Sequence, residues 1–209
     1  MLFYYITDRL QFPGTEREKQ EHLLRKIAEC AAAGVHYIQL REKDLNTRGL
    51  QKLAEEAVKI TAQSDTRLLI NSRIDVALAC RADGVHLPGN DLPASEARAI
   101  FGRAGKADAR IAVSCHTIEE VASAEAHGAD FAVFGPVFEK DGQINPKGLE
   151  QLERACSRPR LAASTMPVLA LGGITTENIM RCRNAGAAGI AAIRLFQQFD
   201  VAKVVKEFA

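Results

Sequence analysis

Val35-His36-Tyr37-Ile38-Gln39-Leu40-Arg41-Glu42-Lys43 begins apolar and ends on an amide and two cations. Side chains of an extended strand alternate between two faces. If the strand runs on through this stretch, Gln39, Arg41 and Lys43 share a face and leave its C-terminal end together. Two cations held so close repel one another unless an anion lies between them. The plain alternative is a pair of solvated charges at a strand end. The stretch decides the fold because its design recurs along the chain.

Short β-type runs alternate with amphipathic helical segments from end to end. The expected strands are Leu2–Ile6, His36–Leu40, Arg67–Ile70, Gly84–Leu87, Arg110–Val113, Phe131–Phe134, Val168–Leu171 and Gly189–Ile193. Between them, Arg17–Ala33 carries Leu23, Leu24, Ile27 and Ala31 at helical spacing, and Thr47–Thr61 carries Leu50, Leu53, Ala54 and Val58. Thr117–His127 opens as a capping box with Glu120. Leu149–Cys156, Glu177–Ala185 and Val201–Phe208 follow the same scheme. Strict alternation implies a parallel sheet, and eight units imply a closed barrel. The expected fold is α/β, a single-domain (β/α)8 TIM barrel over residues 1–209. An open doubly wound sheet would need a glycine-rich turn after the first strand. Thr7-Asp8-Arg9 stands there instead. Thr15–Lys19 and Gly142–Lys147 read as the most irregular loops.

The bulk composition narrows the function classes. With 209 residues the chain suits one well-buried domain. A net charge of +1 argues against nucleic acid or a membrane surface as partner. The five cysteines are scattered and form no C-x-x-C pair, as in a reduced compartment. No signal pattern or bilayer-length apolar stretch is read, so a soluble cytoplasmic protein is expected. A homo-oligomer is compatible with all of this.

A barrel's chemistry sits at the C-terminal ends of its strands. The residues just after the apolar runs are Thr7 and Asp8; Arg41 and Lys43; Asn71, Ser72 and Arg73; His86 and then Asp91; Ser114 and His116; Gly135-Pro136; Gly172-Gly173; and Arg194. Cations, amides and glycines so concentrated suit an anionic ligand. Leu171-Gly172-Gly173-Ile174 places two glycines just before an expected helix start, where backbone N–H groups and the helix field favour phosphate. Gly189-Ile190-Ala191-Ala192-Ile193-Arg194 supplies the second wall, and the same glycines could serve a tight turn alone. Asp91 is the best-placed carboxylate for a hard cation such as Mg2+, while Asp75 and Asp83 read as structural. His86 and His116 suit acid-base chemistry or hydrogen bonding behind the site.

The strand-end phrases together resemble the thiamine-phosphate synthase and thiazole tautomerase (TenI-type) superfamily. The phrases are Tyr5-Ile6-Thr7-Asp8, Ile38-Gln39-Leu40-Arg41-Glu42-Lys43, Ile70-Asn71-Ser72-Arg73-Ile74-Asp75, Ala82-Asp83-Gly84-Val85-His86-Leu87, Val113-Ser114-Cys115-His116-Thr117, Phe134-Gly135-Pro136-Val137-Phe138 and Ala170-Leu171-Gly172-Gly173-Ile174. The resemblance implies a (β/α)8 enzyme of thiamine biosynthesis, a transferase acting on small phosphorylated pyrimidine and thiazole ligands. Carried over, Gln39, Arg41, Lys43 and Asn71 hold a hydroxymethylpyrimidine diphosphate, Asp91 binds Mg2+, and Ser114 meets the pyrimidine. Gly172, Gly173, Ile193 and Arg194 hold the thiazole phosphate. Arg41, Lys43, Ser114 and His116 are the residues assigned to the chemistry.

The chain also departs from the synthase pattern. Ser72 stands where the pattern has a metal-binding aspartate. Phe138-Glu139-Lys140-Asp141-Gly142-Gln143 replaces a Thr-x-Thr-Lys phosphate loop, leaving Lys140 as its cation. Ala192-Ile193-Arg194-Leu195 replaces a serine-rich turn. These departures lean toward the tautomerase, a metal-free proton-transfer enzyme. That branch has a histidine after the strand-six glycine, where this chain has Pro136, so His116 would have to serve. A non-catalytic thiazole- or thiamine-phosphate-binding regulator is the third reading.

Overall fold

The computed structural model describes residues 1–139, 146–157 and 166–209. Its strands are β1 Leu2–Ile6, β2 Tyr37–Leu40, β3 Arg67–Asn71, β4 Gly84–Leu87, β5 Arg110–Cys115, β6 Phe131–Phe134, β7 Val168–Leu171 and β8 Gly189–Ala192. Each pairs in parallel with the next, and β8 returns to β1 with Phe3 opposite Ile190. The chain is therefore a closed (β/α)8 barrel, as the alternation implied. The helices are α1 Glu16–Ala32, α2 Thr47–Thr61, α3 Ile74–Ala79, α4 Ala94–Arg103, α5 Ile118–Ala126, α6 Gly148–Cys156, α7 Ile179–Asn184, α8 Arg194–Gln198 and α9 Val201–Phe208.

Strand alternation sorts the core into two layers. Tyr4, Ile6, Leu69, Ala112, Phe131, Val133, Leu169 and Ala191 fill the barrel. Their neighbours Phe3, Tyr5, Ile38, Leu68, Ile70 and Val85 point outward and pack beneath the helices. The barrel's lower end is held by aspartates that precede strands. Asp83 accepts from Leu68 N at 2.8 Å and pairs with Arg67, and Asp130 accepts from Ile111 N at 2.7 Å and pairs with Arg110. Asp83 is thus structural, as expected, and Asp75 pairs with Arg73 at the start of α3.

Several boundaries differ from the sequence reading, each for a local reason. Thr15–Lys19 is no loop: Thr15 and Glu18 form a reciprocal capping box that starts α1 at Glu16. At Thr117 only half of the expected box forms. Its hydroxyl accepts from Glu120 N, but the Glu120 carboxylate turns back to His116 N. α7 begins at Ile179 rather than Glu177, because the Asn178 side chain bonds Thr175 N and Gly173 O and holds Gly173–Asn178 in a turn. β2 ends at Leu40, so the two cations follow the strand rather than extend it. Residues 142–145 of the expected Gly142–Lys147 loop lie outside the described residues. Each of the five cysteines is a thiol rather than half of a disulfide, and among the described residues no helix is long and apolar enough to cross a membrane.

Candidate active site

The upper inward positions of four adjacent strands are polar: Gln39 on β2, Asn71 on β3, His86 on β4 and Ser114 on β5. Their registers place Asn71 opposite His86, and His86 opposite Ala112, one step below Ser114. The other half of the rim comes from Gly135, Leu171 and Ile193, after or at the ends of β6, β7 and β8. Together they line a cavity of ≈ 700 Å³ at the mouth, into which Arg41, Lys43 and His116 also face. The sequence-expected residues Gln39, Arg41, Lys43, Asn71, Ser114, His116, Gly172 and Ile193 thus share one cavity. Gly173 and Arg194 line an adjoining cleft of ≈ 330 Å³ that shares Leu171, Gly172 and Ile193 with the mouth. Asp91 lies on the rim, in a cleft of ≈ 140 Å³ that shares Pro88, Gly89, Ser114 and Glu120. Lys140 lies outside the described residues.

Beneath the two cations is a buried charge cluster that sequence reading did not find. After β1 the chain makes a single 3-10 turn, Arg9–Gln11, that brings Arg9 back under the end of β2. Arg9 is only 2% exposed, and its guanidinium serves three carboxylates. Nε donates to Glu16 at 2.7 Å, Nη1 to Glu42 at 3.0 Å, and Nη1 and Nη2 straddle Asp44 at 2.7 and 2.6 Å. Glu42 also accepts from Arg9 N at 3.1 Å and from Thr7 Oγ1 at 2.5 Å. Thr7 Oγ1 in turn accepts from Arg41 N at 2.9 Å. Alternation therefore continues past the strand: Glu42 and Asp44 face Arg9, while Arg41 and Lys43 face the mouth. Among the described residues neither Arg41 nor Lys43 has an ion-pair partner. Hydrogen bonds from Arg9 hold the Asp44 and Glu16 carboxyls below the ordinary carboxylate range, whereas burial pushes Glu42 up against its bonds to Thr7 and Arg9.

A second chain of hydrogen bonds crosses the cavity floor. Gln39 Nε2 donates to Tyr4 Oη at 3.2 Å, Tyr4 Oη meets His86 Nδ1 at 3.0 Å, and His86 Nε2 meets Ser114 Oγ at 2.7 Å. The His86 ring is almost fully buried, on the floor of the cavity that it helps to line beside Ser114. Burial first, and the nearby Arg41 charge second, push its pKa from 6.5 to about 3. An unfolded chain takes up a proton here below the ordinary histidine pKa that the native barrel refuses. Stability is therefore expected to fall as pH drops through that pKa, by about 2 kcal/mol between roughly pH 7 and 5 from this group alone. Urea midpoints across that range should show the slope in the wild type and lose it in His86→Asn.

The turn after β7 needs its glycines. Gly172 has φ +97° and Gly173 has φ +62°, both in the left-handed region. A Cβ on Gly172 would lie 2.5 Å from the Pro136 Cβ, and one on Gly173 would lie 2.5 Å from the Glu139 carbonyl. The helix beside this turn that starts at the mouth is α8, beginning at Arg194 directly after β8, rather than α7 as the sequence suggested. If the cleft takes the phosphate expected from its glycines, Gly173→Ala should weaken that binding about tenfold by displacing backbone that lines the cleft, a loss of about 1.4 kcal/mol readable by calorimetry.

His116 Nδ1 lies 2.6 Å from the Gly135 carbonyl. A carbonyl can only accept, so Nδ1 carries a proton, and the lone pair of the neutral ring lies on Nε2. Ser72, where the resemblance implies a carboxylate, has φ 59° and accepts from Asn71 Nδ2 at 3.2 Å.

Comparison with known proteins gives concordant findings. Residues 3–196 match the family model described as thiamine monophosphate synthase. The thiamine-phosphate synthase of Chlorobium luteolum is 39% identical over 170 residues, covering 81% of this chain and 77% of its own length. That of Clostridium novyi is 36% identical over 204 residues, covering 94% and 91%. The solved structure of a thiamine phosphate pyrophosphorylase from Pyrococcus furiosus matches with a TM-score of 0.79 and 31% identity, covering 99% of this chain and 93% of the other.

Proposed function

The chain belongs to the thiamine monophosphate synthase family, and we propose that its barrel mouth works as a thiamine-phosphate synthase. It is a transferase that joins hydroxymethylpyrimidine diphosphate to thiazole phosphate, giving thiamine phosphate and pyrophosphate. The observation that carries this reading is the pair Arg41 and Lys43. They face the same cavity as Gln39, Asn71 and Ser114 and have no carboxylate partner among the described residues.

The chemistry is a substitution at the exocyclic methylene of the pyrimidine. The carbon–oxygen bond breaks and its electron pair leaves on pyrophosphate. The thiazole nitrogen lone pair then forms the new carbon–nitrogen bond. The barrier falls if negative charge growing on the leaving group meets fixed positive charge. Arg41 offers a planar fork and Lys43 a compact ammonium for that purpose, seated by the Arg9 cluster below. Gln39, Asn71 and Ser114 orient the pyrimidine, and Gly172, Gly173, Ile193 and Arg194 receive the thiazole phosphate. Mg2+ is compatible with the rim: it uses one or two carboxylates plus phosphate oxygens and water. Asp91 Oδ1 accepts from Leu92 N, while Oδ2 has no hydrogen bond among the described residues. Asp91 would hold the ion, which when bound supplies further neutralisation of the diphosphate.

The test is formation of thiamine phosphate from the two substrates, with and without Mg2+. Absence of product at high enzyme concentration would overturn the reading. One observation favours a second reading, thiazole tautomerase. His116 lines the mouth with Nδ1 held by the Gly135 carbonyl, so that its neutral ring carries the Nε2 lone pair a proton-transfer base requires. Metal-free aromatisation of the thiazole phosphate that is lost in His116→Ala would establish it.

A further inference from the structure

The hydrogen-bond chain across the cavity floor has a direction, which follows from counting protons. Tyr4 Oη already accepts from Gln39 Nε2. Its single proton therefore needs an acceptor, and among the described residues His86 Nδ1 is the one within reach. The phenol cannot leave the proton unpaired at no cost, because Tyr4 is fully buried and burial keeps it protonated. Nδ1 is thus an acceptor and carries no proton. The imidazole is neutral, since burial disfavours its charged form. Its one proton lies on Nε2 and is donated to Ser114 Oγ. Ser114 Oγ has no other partner among the described residues, and Ser114 lines the mouth. Its own proton is left for the ligand.

We infer that Tyr4 and His86 are positioning residues that fix Ser114 as a hydrogen-bond donor into the mouth, so that its proton calls for an acceptor atom on the ligand. An unprotonated ring nitrogen of an azaheterocycle can take that proton, and a protonated ring nitrogen cannot. The kinetic consequence rests on the synthase reading, whereas the tautomer of His86 does not. Tyr4 acts entirely through others: removing its hydroxyl frees the ring to place its proton on either nitrogen, and the Ser114 hydroxyl can then turn inward to donate to Nε2.

Two measurements test this. In ligand-free protein labelled with 15N-histidine, NMR at neutral pH should find His86 with a protonated Nε2 and an unprotonated Nδ1. The opposite tautomer would overturn the inference, whatever reaction the protein performs. Tyr4→Phe keeps the ring and removes the hydroxyl. It should populate both tautomers and lower kcat/KM for thiamine phosphate formation about tenfold. In a Ser114→Ala background the same substitution should have almost no further effect, because the chain no longer ends on a hydroxyl. A loss of equal size in both backgrounds would mean that Tyr4 only packs the barrel, and would overturn the positioning role. If wild-type protein forms no thiamine phosphate, the synthase reading fails and the NMR result alone decides the direction of the chain.

Discussion

Arg9→Ala is expected to lower the free energy of unfolding by about 3–5 kcal/mol, the usual consequence of stripping one partner from a buried ion pair. Most of that loss comes from Glu42, whose side chain is 1% exposed and would keep its carboxylate in the barrel with Thr7 as its remaining side-chain partner. The pairs to Glu16 and Asp44 are half-exposed and contribute little by themselves. Domains of this kind are stable by about 5–15 kcal/mol, so the loss should be plain in urea denaturation. Arg9→Lys should recover only part of it, because an ammonium cannot serve three carboxylates in the fork geometry of a guanidinium. A double variant, Arg9→Met with Glu42→Leu, should be more stable than Arg9→Ala, since it removes the orphaned charge as well. An unchanged urea midpoint in Arg9→Ala would show that the cluster does not hold the end of β2.

The second large effect is expected at the mouth. Arg41→Ala should lower kcat/KM for thiamine phosphate formation about 100–1000-fold, the range seen when a fixed group opposite developing negative charge is removed. Arg41 is half-buried and its backbone is anchored to Thr7, so the substitution should leave the fold intact. Arg41→Lys should fall between the two, keeping the charge and losing the fork. Pyrophosphate binding by calorimetry should weaken in parallel and become less sensitive to salt. Activity within threefold of wild type in Arg41→Ala would remove Arg41 from the diphosphate site.

Strands and mouth residues were legible in the sequence because each is written in a local pattern. An apolar run closed by a polar residue marks a strand end whatever the rest of the chain does. In a barrel all such ends meet at one face. That is how Gln39, Asn71, Ser114, His116 and Gly172, scattered over more than half the chain, could be assigned to one cavity. The short helices α3 and α8 were not legible, having six and five residues, too few for a periodic pattern. α4 starts at Ala94, after Pro93, without a side-chain cap, so it offers no capping signal either. Helical phrases after β7 suggested a helix against the glycines. The Asn178 side chain intervenes, and α8 takes that place.

The sequence by itself determined the barrel, the order of its strands and many of the residues that reach its mouth, because strand alternation and strand-end chemistry are local properties of the chain. Only the tertiary structure decided what stands behind those residues. In the sequence Arg9 and Glu42 stand only within the phrases Thr7-Asp8-Arg9 and Arg41-Glu42-Lys43, with no role attached to either. Their burial arises from a contact across 33 residues, which no local pattern records. Tyr4 lies within the expected strand Leu2–Ile6, with no role attached to it. Its hydroxyl matters because closing the barrel sets it against His86, 82 residues away. Burial turns such contacts into constraints: with water excluded, each proton and each charge must find a partner inside the protein, and the partners available fix how the mouth is arranged.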